Sequence, residues 1–189
     1  LRARANECAP FENVYTLALR GLHDRAMNAS NDMADRKQML QDALMAQRKM
    51  LIDATGKRGE DIPQAFTPYK EVLDVYDEGL ELPDDVTIIW PDDNYGYMKR
   101  LSSPKEQKRS GRSGVYYHSS YLGKPHDHLW MNTTSPTLMY EELRKAYDMT
   151  ADRIWLLNAG DIKSCEFAVD FFLSMAYDID SFNFDRAAT

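Results

Sequence analysis

The sequence predicts an α/β fold of parallel βα units, consistent with part of a TIM-like (β/α)8 barrel. Three observations support this prediction. Strand-like runs alternate with helix-like segments, the runs are mostly apolar along their length, and polar side chains follow the end of every run. Such alternation indicates a parallel sheet, and continuously apolar strands are typical of sheets covered on both faces.

The first half of the chain contains two predicted strands and two predicted helices. Residues 14–19 form a short strand. Residues 62–68 form a weaker one, whose prolines favour an edge position or a strand start. Apolar residues at helical spacing predict a helix over about 35–54, which Gly56 ends. A short helix follows over 69–80.

The second half contains three predicted strands, over 86–90, 115–121 and 153–157. The basic segment 99–114, rich in Ser and Gly, is predicted to be a loop.

Two helices complete the second half. One covers 136–147, and the last runs through Phe167 to Met175 with Ser164 as its predicted cap.

The strand count leaves two architectures open. A complete barrel needs about 250 residues, and this chain has five predicted strands in 189 residues. An open doubly wound sheet fits the same pattern. The chain begins with Leu1 and ends without a recognisable cap or tail, so we expect an interior piece of a longer protein.

Composition excludes several function classes. The net charge of −7 makes nucleic acid an unfavourable partner, because phosphate binding depends on basic surface. No stretch approaches the roughly 20 consecutive apolar residues of a membrane-spanning helix. Aromatic residues make up 11% of the chain, many beside polar residues, which suits a sugar-binding site. The two cysteines can form at most one disulfide.

Groups able to do chemistry follow each predicted strand. They are Arg20, His23 and Asp24, then Glu71, then Asp92, Asp93 and Asn94, then His118 and Tyr121, and finally Asn158 and Asp161. The strands of a parallel sheet point the same way, so these groups are predicted to converge at one mouth, where barrel enzymes keep their active sites.

Ordinary structural roles compete with functional ones at several of these positions. Asp24 suits a helix cap, and Glu71 suits the positive end of a helix dipole. One residue of the 92–94 triplet is expected to form an Asx turn, and His118 suits a buried core position. Arg20 is harder to explain structurally, because it requires an anion, either Asp24 or a ligand carboxylate.

A metal site is not predicted. His126 and His128 have the spacing of metal ligands, but the sequence offers no third ligand beside them. No cofactor motif occurs either, because the Gly56–Gly59 segment matches neither a P-loop nor a dinucleotide fingerprint.

Several ordered motifs resemble glycoside hydrolase family 115, over about residues 13–178. They are WPDDNYGY (90–97), GVYYHSSY (114–121), PHDHLW (125–130), NAGDIK (158–163) with Glu166, RGLHD (20–24) and YKEV (69–72). The family's members are xylan α-1,2-glucuronidases, so the resemblance implies removal of glucuronic acid or its 4-O-methyl ether with inversion. It also implies that residues 1–189 are one fragment of a catalytic (β/α)8 barrel, without its first strands and flanking domains.

The resemblance assigns roles by position. Glu71 is implied as the catalytic acid, and Asp24 as a second essential carboxylate and candidate base. Arg20, Asn94, Tyr121 and His118 are implied to line the uronic acid pocket. An inverting pair of carboxyls stands roughly 6.5–9.5 Å apart, and Arg20 can bind a substrate carboxylate with two hydrogen bonds.

The resemblance also implies partners and location. The expected substrates are glucuronoxylan or its acidic oligosaccharides, with no nucleic acid, membrane or cofactor. A secreted or periplasmic parent, compatible with a homodimer, is expected. Two other functions fit the residues: a barrel enzyme acting on a different sugar, and a non-catalytic carbohydrate-binding α/β module.

Overall fold

The computed structural model describes residues 2–21, 25–27, 32–119 and 130–187. In this part of the chain the helices and strands follow one another in the order α1 (Arg2–Cys8), β1 (Tyr15–Thr16), α2 (Met33–Thr55), β2 (Gln64–Phe66), α3 (Glu71–Asp77), β3 (Thr87–Pro91), β4 (Ser113–His118), α4 (Pro136–Asp148), β5 (Trp155–Asn158), α5 (Glu166–Tyr177) and α6 (Phe184–Ala187). No helix among these residues is long and apolar enough to cross a membrane.

The five strands form one sheet in the order β1-β2-β3-β4-β5. The pairs β1–β2, β2–β3 and β4–β5 are parallel. Neighbours in the sheet are also neighbours in sequence, which is the strand order of a (β/α)8 barrel, whereas a doubly wound sheet reverses its order. The predicted α/β fold of parallel βα units, part of a barrel, is confirmed.

Strand β2 corrects one prediction. It lies between β1 and β3 and is hydrogen-bonded to both, so the edge position suggested by its prolines is wrong. Pro63 and Pro68 fall outside Gln64–Phe66, so neither removes an N–H donor from the strand itself.

The chain divides into two compact units. The first comprises Leu1–Ile88 with Arg109–Gly111, and the second comprises Ile89–Lys108 with Arg112–Thr189. Strand β3 contributes its first two residues to the first unit and the remaining three to the second.

Helix α2 forms much of the first unit's core. Its N-cap Asp32 accepts a hydrogen bond from the Ala34 N–H at 2.7 Å, and Gly56 ends the helix with a φ of 66°. Leu40, Leu44 and Leu51 form its buried stripe. The predicted helix and its end at Gly56 are therefore confirmed, with a start two residues earlier.

Aromatic packing organises the core of the second unit. The Phe172 ring of α5 lies 6.5 Å from the ring of Tyr117 and 5.6 Å from that of Trp155. Trp90 is fully buried, and its indole N–H donates to Ser102 Oγ at 2.9 Å. Arg100 lies over the Trp90 ring, 4.5 Å from its centroid.

One prediction in the second unit is wrong, and one boundary differs from its prediction. Ser164 does not cap α5, whose N-cap is Cys165, and its hydroxyl instead lies within hydrogen-bond distance of the backbone oxygens of Trp130 and Asp161. The predicted loop over 99–114 is confirmed up to Arg112 and includes a short 3-10 helix, Glu106–Lys108, but β4 begins at Ser113, two residues before the predicted strand start.

Candidate active site

Arg20 and Glu71 form an ion pair in the first unit. Arg20 lies four residues beyond β1, and Glu71 opens α3 after β2. Nε of Arg20 donates to Glu71 Oε1 and Nη2 donates to Oε2, both at 3.2 Å. The two side chains are 19% and 18% exposed. The anion that Arg20 requires is therefore supplied, at least in part, by Glu71, a partner that the sequence analysis did not consider.

Glu71 receives a third hydrogen bond from the backbone. The N–H of Met27 donates to Oε1 at 3.3 Å. Met27 is itself 8% exposed, so this donor lies at a well-packed position. Both carboxylate oxygens of Glu71 thus act as acceptors.

Tyr69 and Lys70 shape the surroundings of the ion pair. The guanidinium carbon of Arg20 lies 5.3 Å from the Tyr69 ring centroid, and Lys70 Nζ lies 5.0 Å from it. Lys70 has φ 52° and ψ −124°, a conformation that strongly favours glycine. The residue before Glu71 therefore carries backbone strain, and it is the N-cap of the helix that Glu71 opens.

Asp92 and His118 form a buried pair in the second unit. His118 Nδ1 is hydrogen-bonded to Asp92 Oδ1, and the two side chains are 2% and 0% exposed. Asp92 Oδ2 also accepts a hydrogen bond from the Gly96 N–H at 3.2 Å. His118 is predicted both as a pocket residue and as a core histidine, and the structure places it in this buried pair.

Two more polar side chains lie beside this pair. The rings of Tyr116 and His118 are 4.6 Å apart, and Asn158 Nδ2 donates to the Tyr116 hydroxyl at 2.7 Å. His118 and Asn158 are register partners at the carboxyl ends of β4 and β5. These four residues are therefore gathered at the carboxyl ends of the second unit's strands.

The turn after β3 holds Asn94. Asn94 is 8% exposed and has φ 66°. Before it, Asp93 Oδ1 accepts from the N–H groups of Tyr95 and Tyr97 at 2.9 and 3.1 Å. The predicted Asx turn is therefore formed by Asp93.

Asp93 also has a perturbed titration. Partial burial opposes ionisation, but Lys99, whose Nζ lies 2.7 Å from Oδ2, and the two backbone N–H groups outweigh that effect. Together they lower the pKa of Asp93.

Two predicted site residues, Asp24 and Tyr121, lie outside the described residues, as do His126 and His128. The predicted spacing between the carboxyls of Glu71 and Asp24 stays a prediction. Within the described residues, no group of three or more His, Cys, Asp and Glu side chains could hold a metal ion.

Sequence reasoning missed the roles of Tyr69, Tyr116 and Asp92. Asp92 and Asn158 are among the groups that follow the predicted strands, but the sequence predicts no site role for either. The register of β4 against β5 is the signal that groups His118 with Asn158, and it depends on strand boundaries that the sequence alone does not fix.

The arrangement in the first unit can perform two chemical tasks. A guanidinium fork binds carboxylates with two hydrogen bonds. A carboxyl group that changes its proton can act as a general acid or base.

The comparisons with known proteins agree on one family. A family model described as glycosyl hydrolase family 115 matches residues 1–189. One similar solved structure is described as a novel family GH115 4-O-methyl-alpha-glucuronidase, BtGH115A, with specificity for decorated arabinogalactans. It is 44% identical, has a TM-score of 0.90, and the match covers 95% of this chain and 24% of that chain. A comparison with curated proteins gave no significant match.

Proposed function

The chain belongs to glycoside hydrolase family 115, and we propose that the intact protein removes α-linked glucuronic acid or its 4-O-methyl ether from decorated polysaccharides. The chain spans about a quarter of the similar glucuronidase structure, so the activity is proposed for the whole protein. One observation carries the proposal: a guanidinium and a carboxylate meet after the first two strands of the sheet. These groups supply an anion-binding cation and a proton carrier.

The proposed reaction assigns one task to each group. Arg20 binds the uronate carboxylate. Glu71 gives a proton to the glycosidic oxygen as the bond from the anomeric carbon to that oxygen breaks and the oxygen keeps the electron pair. A water molecule attacks the anomeric carbon from the opposite face and loses its proton to a carboxylate base, for which Asp24 is our candidate. Inversion follows from this single displacement.

We propose glucuronoxylan and its acidic oligosaccharides as the substrate class. The similar structure is described as specific for decorated arabinogalactans, so these polymers are the natural competitors in a test. Asn94, His118 and Tyr121 remain proposed lining residues of the uronic acid pocket. The proposed location is outside the cytoplasm, secreted or periplasmic, where such polymers occur, and cell fractionation tests it.

Proton NMR of polysaccharide digests tests the activity directly. Incubation of the intact protein with glucuronoxylan should release free uronic acid, first as the β-anomer. If uronic acid were released from an acidic arabinogalactan but not from glucuronoxylan, the proposed substrate class would be wrong. Early appearance of the α-anomer would contradict inversion. Release from neither polymer would contradict the proposed function.

A matched pair of variants tests the role of Glu71. Glu71→Gln should lower kcat on polysaccharide by roughly 10²–10⁴-fold, because it cannot donate a proton. Glu78→Gln, which changes an exposed carboxylate just after the same helix, should leave kcat unchanged. Equal activity of the two variants would remove Glu71 from the mechanism.

A further inference from the structure

Glu71 is engaged in a way that is unsuited to a general acid. Its two oxygens accept three hydrogen bonds, two from Arg20 and one from the Met27 N–H. Three donors around one carboxyl group favour its charged form, because N–H donors stabilise the negative charge of a carboxylate. In this arrangement both oxygens of Glu71 act as acceptors, whereas a general acid must donate a proton.

The uronate of the substrate offers Arg20 the same chemistry as Glu71. Both ligands are carboxylates, and a guanidinium matches a carboxylate through two parallel N–H donors. Nε and Nη2 of Arg20 are the donors now used by Glu71. A substrate carboxylate that binds this Nε–Nη2 edge of the guanidinium competes with Glu71 for the same donors.

Displacement changes the charge balance around Glu71. With uronate bound, two carboxylates share the field of one guanidinium, and like charges at close range favour protonation of one of them. A second cation, Lys70, lies against the same Tyr69 ring as Arg20. The side chain of Lys70 is exposed, so its charge is partly screened by solvent.

We propose that binding of the uronate to Arg20 releases Glu71, which then takes up a proton. Recognition of the substrate's carboxylate thereby converts Glu71 into a general acid. This inference rests on the proposed function and deepens it. The proton comes from solvent on binding and passes to the glycosidic oxygen during bond cleavage. Glu71 then returns to Arg20 as a carboxylate when the uronate product leaves.

Together, Arg20 and Glu71 then select for uronates over neutral sugars. A neutral hexose that fills the same pocket has no carboxylate to compete for Arg20, so Glu71 stays ionised and the glycosidic oxygen receives no proton. Selection for uronates then appears in kcat as well as in binding. A pocket that used Arg20 only as an anchor would discriminate through KM alone.

Isothermal titration calorimetry of the intact protein with glucuronic acid tests the inference. Titrations at one near-neutral pH in buffers of different ionisation enthalpy report the protons exchanged on binding. We expect uptake approaching about one proton per bound glucuronate. Glucose serves as the neutral control, and any binding of glucose should take up no proton.

Two variants assign the proton to its carrier. Glu71→Gln should bind glucuronate without proton uptake, and Glu78→Gln should behave like the wild type. Proton uptake that persists in Glu71→Gln would overturn the inference. The wild-type comparison of glucuronate with glucose keeps the test decisive if Glu71→Gln does not fold.

The outcomes separate the inference from the function on which it rests. If glucuronate binds without proton uptake and the protein still releases uronic acid from polysaccharide, the inference is wrong but the proposed glucuronidase activity is supported. Failure to bind glucuronate and to release uronic acid overturns both.

Discussion

Asp93 holds the turn after β3 through both of its carboxylate oxygens. One oxygen accepts from two backbone N–H groups, and the other pairs with Lys99. These contacts favour the ionised form over the opposing effect of partial burial, so the pKa of Asp93 lies below its usual value.

A depressed carboxyl pKa makes the contribution of Asp93 to stability dependent on pH. The contribution is complete above the unfolded-state pKa of about 4 and is lost as pH falls through the lower folded-state value. We therefore expect Asp93→Asn to lower Tm near neutral pH, with the difference from wild type shrinking in acid. Thermal melts across this pH range measure it.

Glu141→Gln is the matched control for Asp93. It removes an exposed carboxylate from α4 in the same unit. The Tm difference between the control and wild type should not depend on pH. If the difference for Asp93→Asn also stayed constant from neutral pH to acid, ionisation of Asp93 would not contribute to stability.

Lys70 is strained at the residue before Glu71. Its φ of 52° with ψ of −124° suits glycine, and such strain costs about 1–3 kcal/mol. We expect Lys70→Gly to raise the free energy of unfolding by roughly 1 kcal/mol. Urea denaturation measures the change.

Lys70→Ala separates strain from the lost ammonium group. It removes the contact with Tyr69 but keeps a Cβ in the strained conformation. If the alanine and glycine variants changed stability equally, the backbone of Lys70 would not be strained.

Residue types at this site were predictable, but their partners were not. The carboxyl ends of strands drew attention to Arg20, Glu71, Asp92 and His118 in the sequence alone. Arg20 and Glu71 are 51 residues apart, and Asp92 and His118 are 26 apart. Pairings over such separations depend on the register of the strands that carry them, and no local pattern encodes that register.

Strand β4 and the backbone of Ile154, directly before β5, approach closely at Gly114. A Cβ at this position would lie 2.0 Å from the backbone oxygen of Ile154 and 3.0 Å from the Ile89 side chain. The first contact is with backbone, so the clash can be relieved only by moving a strand.

The close approach at Gly114 predicts a large effect of a small change. We expect Gly114→Ala to destabilise the protein by about 3 kcal/mol or more, because overpacking against backbone shifts the strands. Gly56→Ala is the matched control. At Gly56 a Cβ meets nothing within 4 Å, and only the φ of 66° opposes it, at a cost of about 1 kcal/mol.

Chemical denaturation of both alanine variants ranks the two costs. A cost at Gly114 no larger than that at Gly56 would mean that β4 and β5 separate easily.

Helices and strands with strong local sequence patterns were predicted well, whereas short elements with weak patterns were not. Helix α2 has a long apolar stripe, a capping aspartate and a terminal glycine, and the sequence located it within two residues at its start. Strand β2 is only three residues long, and its neighbours β1 and β3 bury it from both sides. Its interior position comes from those neighbours, so of the two positions that the prolines predicted the edge is wrong, whereas Pro63 does lie directly before the first residue of the strand.

At the scale of the whole molecule, the described sheet has two terminal strands. Strands β1 and β5 each pair with one neighbour within the described residues, and Leu156 of β5 is 46% exposed. An apolar strand edge of this kind promotes association between chains.

The sheet edge predicts the behaviour of residues 1–189 expressed alone. We expect aggregation rather than a monomer, measured by size-exclusion chromatography with light scattering. Leu156→Lys should increase the monomer fraction, because a charge at an edge opposes pairing. A monomeric wild-type chain with one cooperative thermal transition would contradict this expectation.

The tryptophans provide a separate optical probe of the molecule. Trp90 is buried against Ser102 and Arg100, Trp155 is partly buried, and Trp130 is 63% exposed. These are the three tryptophans of the sequence, and all belong to the second unit. Indole fluorescence therefore follows the unfolding of that unit, whereas circular dichroism follows the helices of both. Coincident transitions by the two signals would show that the units melt together, and separate transitions would show that they melt one after the other.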